Sequence, residues 1–214
     1  MLIQEKGRKM RAIYFDMDGT IANLFGYDGW LDHLHNSRTI PYSDCAPLVN
    51  PTKFCEVLDK LKSNGYTIGV ISWGAMGGSV EYTRAVKRAK IEWLNKWFGN
   101  VFSEIHVVKY GTPKHSVAKI KNSILVDDNA DVRAAWKNGF TIDATNCGEM
   151  MNALAQLAAW CYNIIVKRDE ERSYLLVLQR RKQRFRRANV SSHKKRNAYP
   201  VVILGKTTGF YFRD

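Results

Sequence analysis

The chain lacks the signatures of several common protein classes. Its 214 residues hold four cysteines, Cys45, Cys55, Cys147 and Cys161, with no C-x-x-C pair and no zinc-ligand spacing. Neither a disulfide scaffold nor a structural zinc is indicated, and the cysteines read as reduced thiols in a cytoplasmic protein. No apolar run approaches the ~20 residues of a membrane-spanning helix, so no membrane contact is expected. No repeat period, low-complexity segment or G-x-x-x-x-G-K-[ST] phosphate loop occurs, which leaves no kinase of the P-loop type. The basic stretch Met1 to Arg11 leads into no apolar signal region; it reads as a short leader, with Met10 as an alternative start. Acid is scarce at one end: residues 164–214 carry 14 of the 33 Lys/Arg but 4 of the 20 Asp/Glu. The remaining 163 residues are nearly balanced, at 19 basic and 16 acidic side chains.

At 45% hydrophobic residues the chain can bury one core and carry an appendage. The expected division is a body over 1–163 and a basic extension over 164–214. Such an extension suits a polyanionic partner, nucleic acid above all, through counterion release; a solubilising, weakly ordered tail has the same composition.

Strand and helix signals alternate through the body. Asn50-Pro51 makes a helix start, with Asn as cap and Pro at the first helical position, and that helix stops at Gly65. Tyr66 to Ile71 reads as a strand ending at Ser72. A glycine loop follows, then a long amphipathic helix from Ser79 to Phe98, whose Val80, Val86, Trp93, Leu94 and Trp97 lie near helical spacing. A strand over about 101–108 precedes a short helix opened by Thr112-Pro113. Ile124 to Val126 is a strand cut off by Asp127-Asp128, Ala130 to Asn138 a helix, Phe140 to Ile142 a strand, and about 148–162 a last helix. Ala22 to Asn50 reads as irregular. This alternation argues an α/β fold with a mostly parallel sheet. In the extension, Asn163 to Val166, Tyr174 to Gln179, Val201 to Leu204 and Gly209 to Phe212 read as short strands.

The most informative stretch is Ile13-Tyr14-Phe15-Asp16-Met17-Asp18-Gly19-Thr20. An apolar strand runs into two carboxylates one residue apart, at the sheet edge where open α/β folds bind ligands. Two like charges so close call for a cation or a shared proton; the competing reading is an acidic strand end capping the next helix. Ser72, Lys114 and Asp127-Asp128 fall at the later strand ends or at the helix start beside them.

These four motifs, Asp16-Met17-Asp18-Gly19-Thr20, Ile71-Ser72, Lys114 and Val126-Asp127-Asp128, resemble those of the haloacid dehalogenase (HAD) superfamily, specifically its aspartate-nucleophile phosphatases. The resemblance covers about residues 10 to 160. It implies a Rossmann-like core with a short cap insertion at about 22–50, and a Mg²⁺-dependent phosphatase. Asp16 would attack phosphorus and Asp18 would serve as acid and base. Ser72 would bind a phosphoryl oxygen and Lys114 would neutralise charge. Mg²⁺ would lie between the Asp16 carboxylate, the Asp18 carbonyl and Asp127, with Asp128 binding through water or orienting the site. Gly19, Thr20, Trp73 and Gly74 would face the substrate. Lys109 is the rival to Lys114, and Asp131 lies where some members of the family place a second metal-site aspartate. His33, His35, His106 and His115 show no metal spacing and read as surface or packing residues.

The segment after Ser72, with Arg133 and Trp136 beyond Asp127-Asp128, is similar to the phosphatase half of polynucleotide kinase-phosphatases; small deoxynucleotidase-like HAD proteins are equally similar. A cap of 29 residues leaves an open site or a narrow one closed by a short flap, and Tyr27, Trp30, His33 and Tyr42 within it are candidates to stack on a base or sugar. The expected substrate is a phosphorylated nucleotide or nucleic-acid end. The alternative is a nucleic-acid-binding protein that uses the basic extension on a HAD scaffold.

Overall fold

A computed structural model describes residues 11–160 together with Leu175, Leu176, Gln179 and Arg180. The chain divides into two units, Met1–Ile165 and Val166–Asp214. In the second, Leu175, Leu176, Gln179 and Arg180 are helical, where the residue pattern suggests a strand. The other three strands expected in the extension lie outside the described residues.

Among the described residues of the first unit, five strands form one parallel sheet: β1 (Arg11–Phe15), β2 (Tyr66–Trp73), β3 (Glu104–Val108), β4 (Ser123–Asp127) and β5 (Thr141–Asp143). Their spatial order is β3-β2-β1-β4-β5, and every neighbouring pair is parallel. The inner strands β2, β1 and β4 are largely apolar on both faces because helices cover both, as parallel sheets require. Ile13 and Phe15 of β1 pack into one core with Phe54, Leu58 and Leu61 of α3 (Pro51–Ser63) and Trp93, Leu94 and Phe98 of α4 (Val80–Phe98). Met150, Leu154 and Ala158, from a helix over residues 147–160, join that core. Ala12 and Tyr14, pointing the other way, pack with Leu125, Ala118 and Trp136 in a smaller core.

The segment 22–50 is more regular than expected, holding two short helices, α1 (Trp30–His35) and α2 (Ile40–Asp44). Too brief to show a helical period, they are held by tertiary contacts: the Trp93 indole donates to the Cys45 carbonyl at 2.7 Å, and Leu24 and Tyr42 pack on Tyr82, Val86 and Ala89 of α4. The helix after Asp128, α6 (Ala130–Ala134), stops short of Asn138. Trp136 turns inward instead, its ring 6.4 Å from Tyr14. The placement of β4 sets up a switch point in the sheet. Strands β1, β2 and β3 progress to one side and β4 returns to the other, so the order reverses between β1 and β4, where open sheets bind ligands.

Candidate active site

The register places the predicted residues at that edge. Phe15 lies opposite both Val70 and Val126, so Asp16, Ser72 and Asp127 end three adjacent strands within about one residue of the same level. Lys114 opens α5 (Lys114–Val117) and its buried ammonium bridges Asp16 Oδ1 and Asp127 Oδ2, at 2.7 Å each. A cation in the first turn of a helix opposes the helix dipole; two carboxylates offset that cost here. Burial works against the Lys114 charge, but Asp16 and Asp127 outweigh it and hold the pKa above that of an ordinary lysine. Lys109 is exposed and does not line the site.

Asp16, Asp127 and Asp128 present carboxylate oxygens within 4.8 Å of one another. Burial, and then the Asp16 charge, push Asp127 up to about 6 despite Lys114 and the Asn129 N–H. The same two causes raise Asp128. Asp128 is held by Thr20, whose hydroxyl donates to Asp128 Oδ1 at 3.0 Å and accepts from the Asp128 N–H at 3.1 Å. Thr20 is fully buried, does not line the pocket and orients Asp128. Gly19 has φ +79°, and a Cβ there would lie 2.5 Å from Asp128 Oδ2 and 2.8 Å from the Phe25 ring. It too serves the loop and does not line the pocket. Three carboxylates around one ammonium leave the cluster acidic, and such an oxygen-only donor set fits a hard divalent cation. Asp131 is exposed on α6, outside the cluster.

Asp18 stands apart from the cluster. Its Oδ2 accepts from Lys90, a fully buried lysine on α4 that also donates to Ser72 Oγ at 3.0 Å and to the Trp73 carbonyl at 2.7 Å. These three acceptors use all three ammonium donors. Asp18 Oδ1 is buried without a hydrogen-bond partner and its residue lines the pocket. Burial raises the Asp18 pKa, and the Lys90 charge only partly counters it. Sequence reasoning missed Lys90, although a signal was present: residue 90 falls on the same helical stripe as Val86, Trp93 and Leu94, where a lysine is out of place.

Above these groups lies a pocket of about 390 Å³. From the 22–50 segment it is lined by Leu24, Phe25, Trp30, Leu31, Leu34, His35 and Tyr42; Tyr27 and His33 pair with each other instead. Trp73 and Gly74 line it, and Tyr110 and Met76 add to them. Arg133 lies outside, donating to the Asp127 carbonyl at 2.8 Å and to Asp143 at 2.6 Å, which fixes β4 against β5. Among the described residues no helix is long and apolar enough to cross a membrane. Comparison of the sequence with protein-family models and with curated proteins finds no match.

Proposed function

We propose that the chain is a HAD-like phosphomonoesterase that works through an aspartyl-phosphate, acting on a nucleotide or a nucleic-acid end. The observation that carries this reading is the division of labour between two aspartates one residue apart. Asp16 sits in the charged cluster with Lys114 and Asp127, whereas Asp18, which also lines the pocket, is withdrawn to Lys90 through Oδ2 and keeps a buried, unpaired Oδ1.

In the first step an Asp16 oxygen attacks phosphorus and the bond from phosphorus to the ester oxygen breaks. Asp18 enters this step carrying a proton and gives it to that leaving oxygen. In the second, Asp18 takes a proton from water as the water oxygen attacks phosphorus, and Asp16 is released with inorganic phosphate. The Ser72 hydroxyl accepts from Lys90 and donates to the Trp73 carbonyl at 3.4 Å; fully buried and outside the pocket lining, it positions Lys90, while Lys114 balances the charge gathering on the nucleophile. Asp16, Asp127 and Asp128 would hold a divalent cation, Mg²⁺ in this proposal, whose chemistry is to neutralise phosphoryl charge.

The test is phosphate release from a panel of phosphomonoesters with Mg²⁺, comparing the wild type with Asp16→Asn. Loss of release in a variant whose circular dichroism is unchanged supports the mechanism. Release that continues at the wild-type rate refutes it.

A further inference from the structure

The walls of the pocket are as informative as its floor. Surface-exposed large apolar side chains are unremarkable when scattered. Here four of them gather at one mouth: Phe25 is 51% exposed, Leu31 47%, Met76 80% and Tyr110 46%, and all line the same pocket as Asp16. They come from separate parts of the chain, the 22–50 segment, the loop after β2 and the loop after β3. Two aromatic pairs stand among them. The Trp73 and Tyr110 rings lie 4.9 Å apart, and those of Phe25 and Trp30 5.1 Å apart.

The Trp73 platform is fixed before any ligand arrives. Its indole N–H donates to the Thr112 carbonyl at 2.8 Å, and the Lys114 ammonium lies 5.3 Å from its ring centre. A planar group stacked there would sit beside the cation that serves the phosphoryl group. Phe25 packs directly on Gly19, where a Cβ would lie 2.8 Å from its ring and 2.5 Å from Asp128 Oδ2.

The lining also excludes ligands. Among the described residues Lys114 is the only Lys or Arg lining the pocket, and its ammonium is already committed to Asp16 and Asp127. Within this pocket, among the described residues, a second phosphate or the phosphodiesters of a strand would find no basic groove of the kind that tracks a nucleic-acid backbone. Above the acidic floor the lining is mostly rings and aliphatic side chains, which suits a flat stacking group better than a polyhydroxylated sugar alone.

Resting on the phosphatase reading, we infer that the substrate is a nucleoside monophosphate, its base stacked in the Trp73, Tyr110, Phe25 and Trp30 mouth and its single phosphate at Asp16. Nucleic-acid ends and sugar phosphates are the disfavoured members of the broader class.

The experiment has a catalytic and a binding arm. Phosphate release is measured on a nucleoside monophosphate, on glycerol phosphate and on an oligonucleotide with a terminal phosphate, for wild type, Tyr110→Ala, Phe25→Ala and Tyr110→Phe. Tryptophan fluorescence of Asp16→Asn titrated with the same three compounds reports binding without turnover. We expect the nucleotide to bind best, each alanine variant to raise its KM about 10-fold and to raise that of glycerol phosphate far less, and Tyr110→Phe to recover most of the nucleotide affinity that Tyr110→Ala loses. If glycerol phosphate or the oligonucleotide binds as well as the nucleotide, the inference is overturned while the phosphatase reading stands. If no ester is hydrolysed yet the nucleotide binds selectively, the phosphatase reading falls and the aromatic site remains.

Discussion

Lys90 and Asp18, 72 residues apart in sequence, form an ion pair whose cation is fully buried and whose anion borders the pocket. The pair ties helix α4 to the loop after β1. It leaves one Asp18 oxygen fixed and the other, Oδ1, without a partner. Replacing Lys90 by Met keeps most of the volume but strands the Asp18 and Ser72 acceptors. Removing one member of such a pair costs about 3 kcal/mol, more than the pair itself contributes. We therefore expect Lys90→Met to lower stability in urea unfolding by about that amount, and Lys90→Met combined with Asp18→Asn to recover most of it. Activity should behave differently: kcat should fall by roughly 10²-fold in both variants with KM little changed. Full activity in the single variant would show that Asp18 needs no anchor.

The acidic cluster gives a prediction about cations. A carboxyl whose pKa is raised on folding favours the folded state fully at low pH, and loses that contribution as pH rises through the folded value. Asp127, raised to about 6, therefore weighs against the fold at neutral pH. A bound divalent cation reverses this, stabilising by about 2.7 kcal/mol at a concentration 100 times its Kd. Thermal melts should rise with Mg²⁺ concentration in the wild type and much less in Asp128→Asn. A melting temperature indifferent to Mg²⁺, Mn²⁺ and Ca²⁺ alike would mean that the cluster is balanced by Lys114 alone.

The legible part of this molecule was the part set by local order in the sequence. The β1 edge announced itself because an apolar run meets two acids without an intervening turn, and Ser72, Lys114 and Asp127 each stand at the end of a run or the start of a helix. What stayed hidden depends on residues that meet only in space. Lys90 lies on the apolar stripe of α4 with Val86 and Trp93, which marks it as inward-facing, but its partners Asp18 and Ser72 come from distant parts of the chain and show only in the folded structure. Trp136 reads as a helix residue until its contact with Tyr14 draws it out of α6. Phe25 and Tyr110, neither in a regular element, carry no periodic signal, and their convergence follows from loops brought together by the sheet.

Gly19 offers a direct test of how tightly the loop after β1 is built. Its φ of +79° disfavours any side chain, and a Cβ would meet Asp128 and Phe25 at under 3 Å. Gly19→Ala should destabilise by about 1–3 kcal/mol from backbone strain alone. Because the clash is with Asp128, the Mg²⁺-dependent rise in melting temperature should shrink as well. A variant that loses stability but keeps the full Mg²⁺ response would place the damage in the backbone and leave the cluster intact.

Far from the pocket, Glu104 governs behaviour in acid. Its carboxylate accepts from Tyr14 at 2.7 Å and from His106 and Lys119 at 2.9 Å each. Burial pushes its pKa up, but the hydrogen bonds from Lys119, His106 and Tyr14 win and hold it at about 2, against an ordinary 4.5. A carboxyl lowered on folding contributes stability that is complete above its unfolded value and disappears as pH falls through the folded one. The contribution of Glu104 should thus be whole above about pH 4.5 and fade toward pH 2. Glu104→Gln keeps the shape and removes the charge, so it should cost about 1–2 kcal/mol at pH 7, the scale of charge-assisted hydrogen bonds partly screened by solvent. In urea unfolding the gap between wild type and variant should narrow steadily from pH 5 to pH 2.5. A gap constant across that range would assign the effect to packing around Tyr14 rather than to the charge.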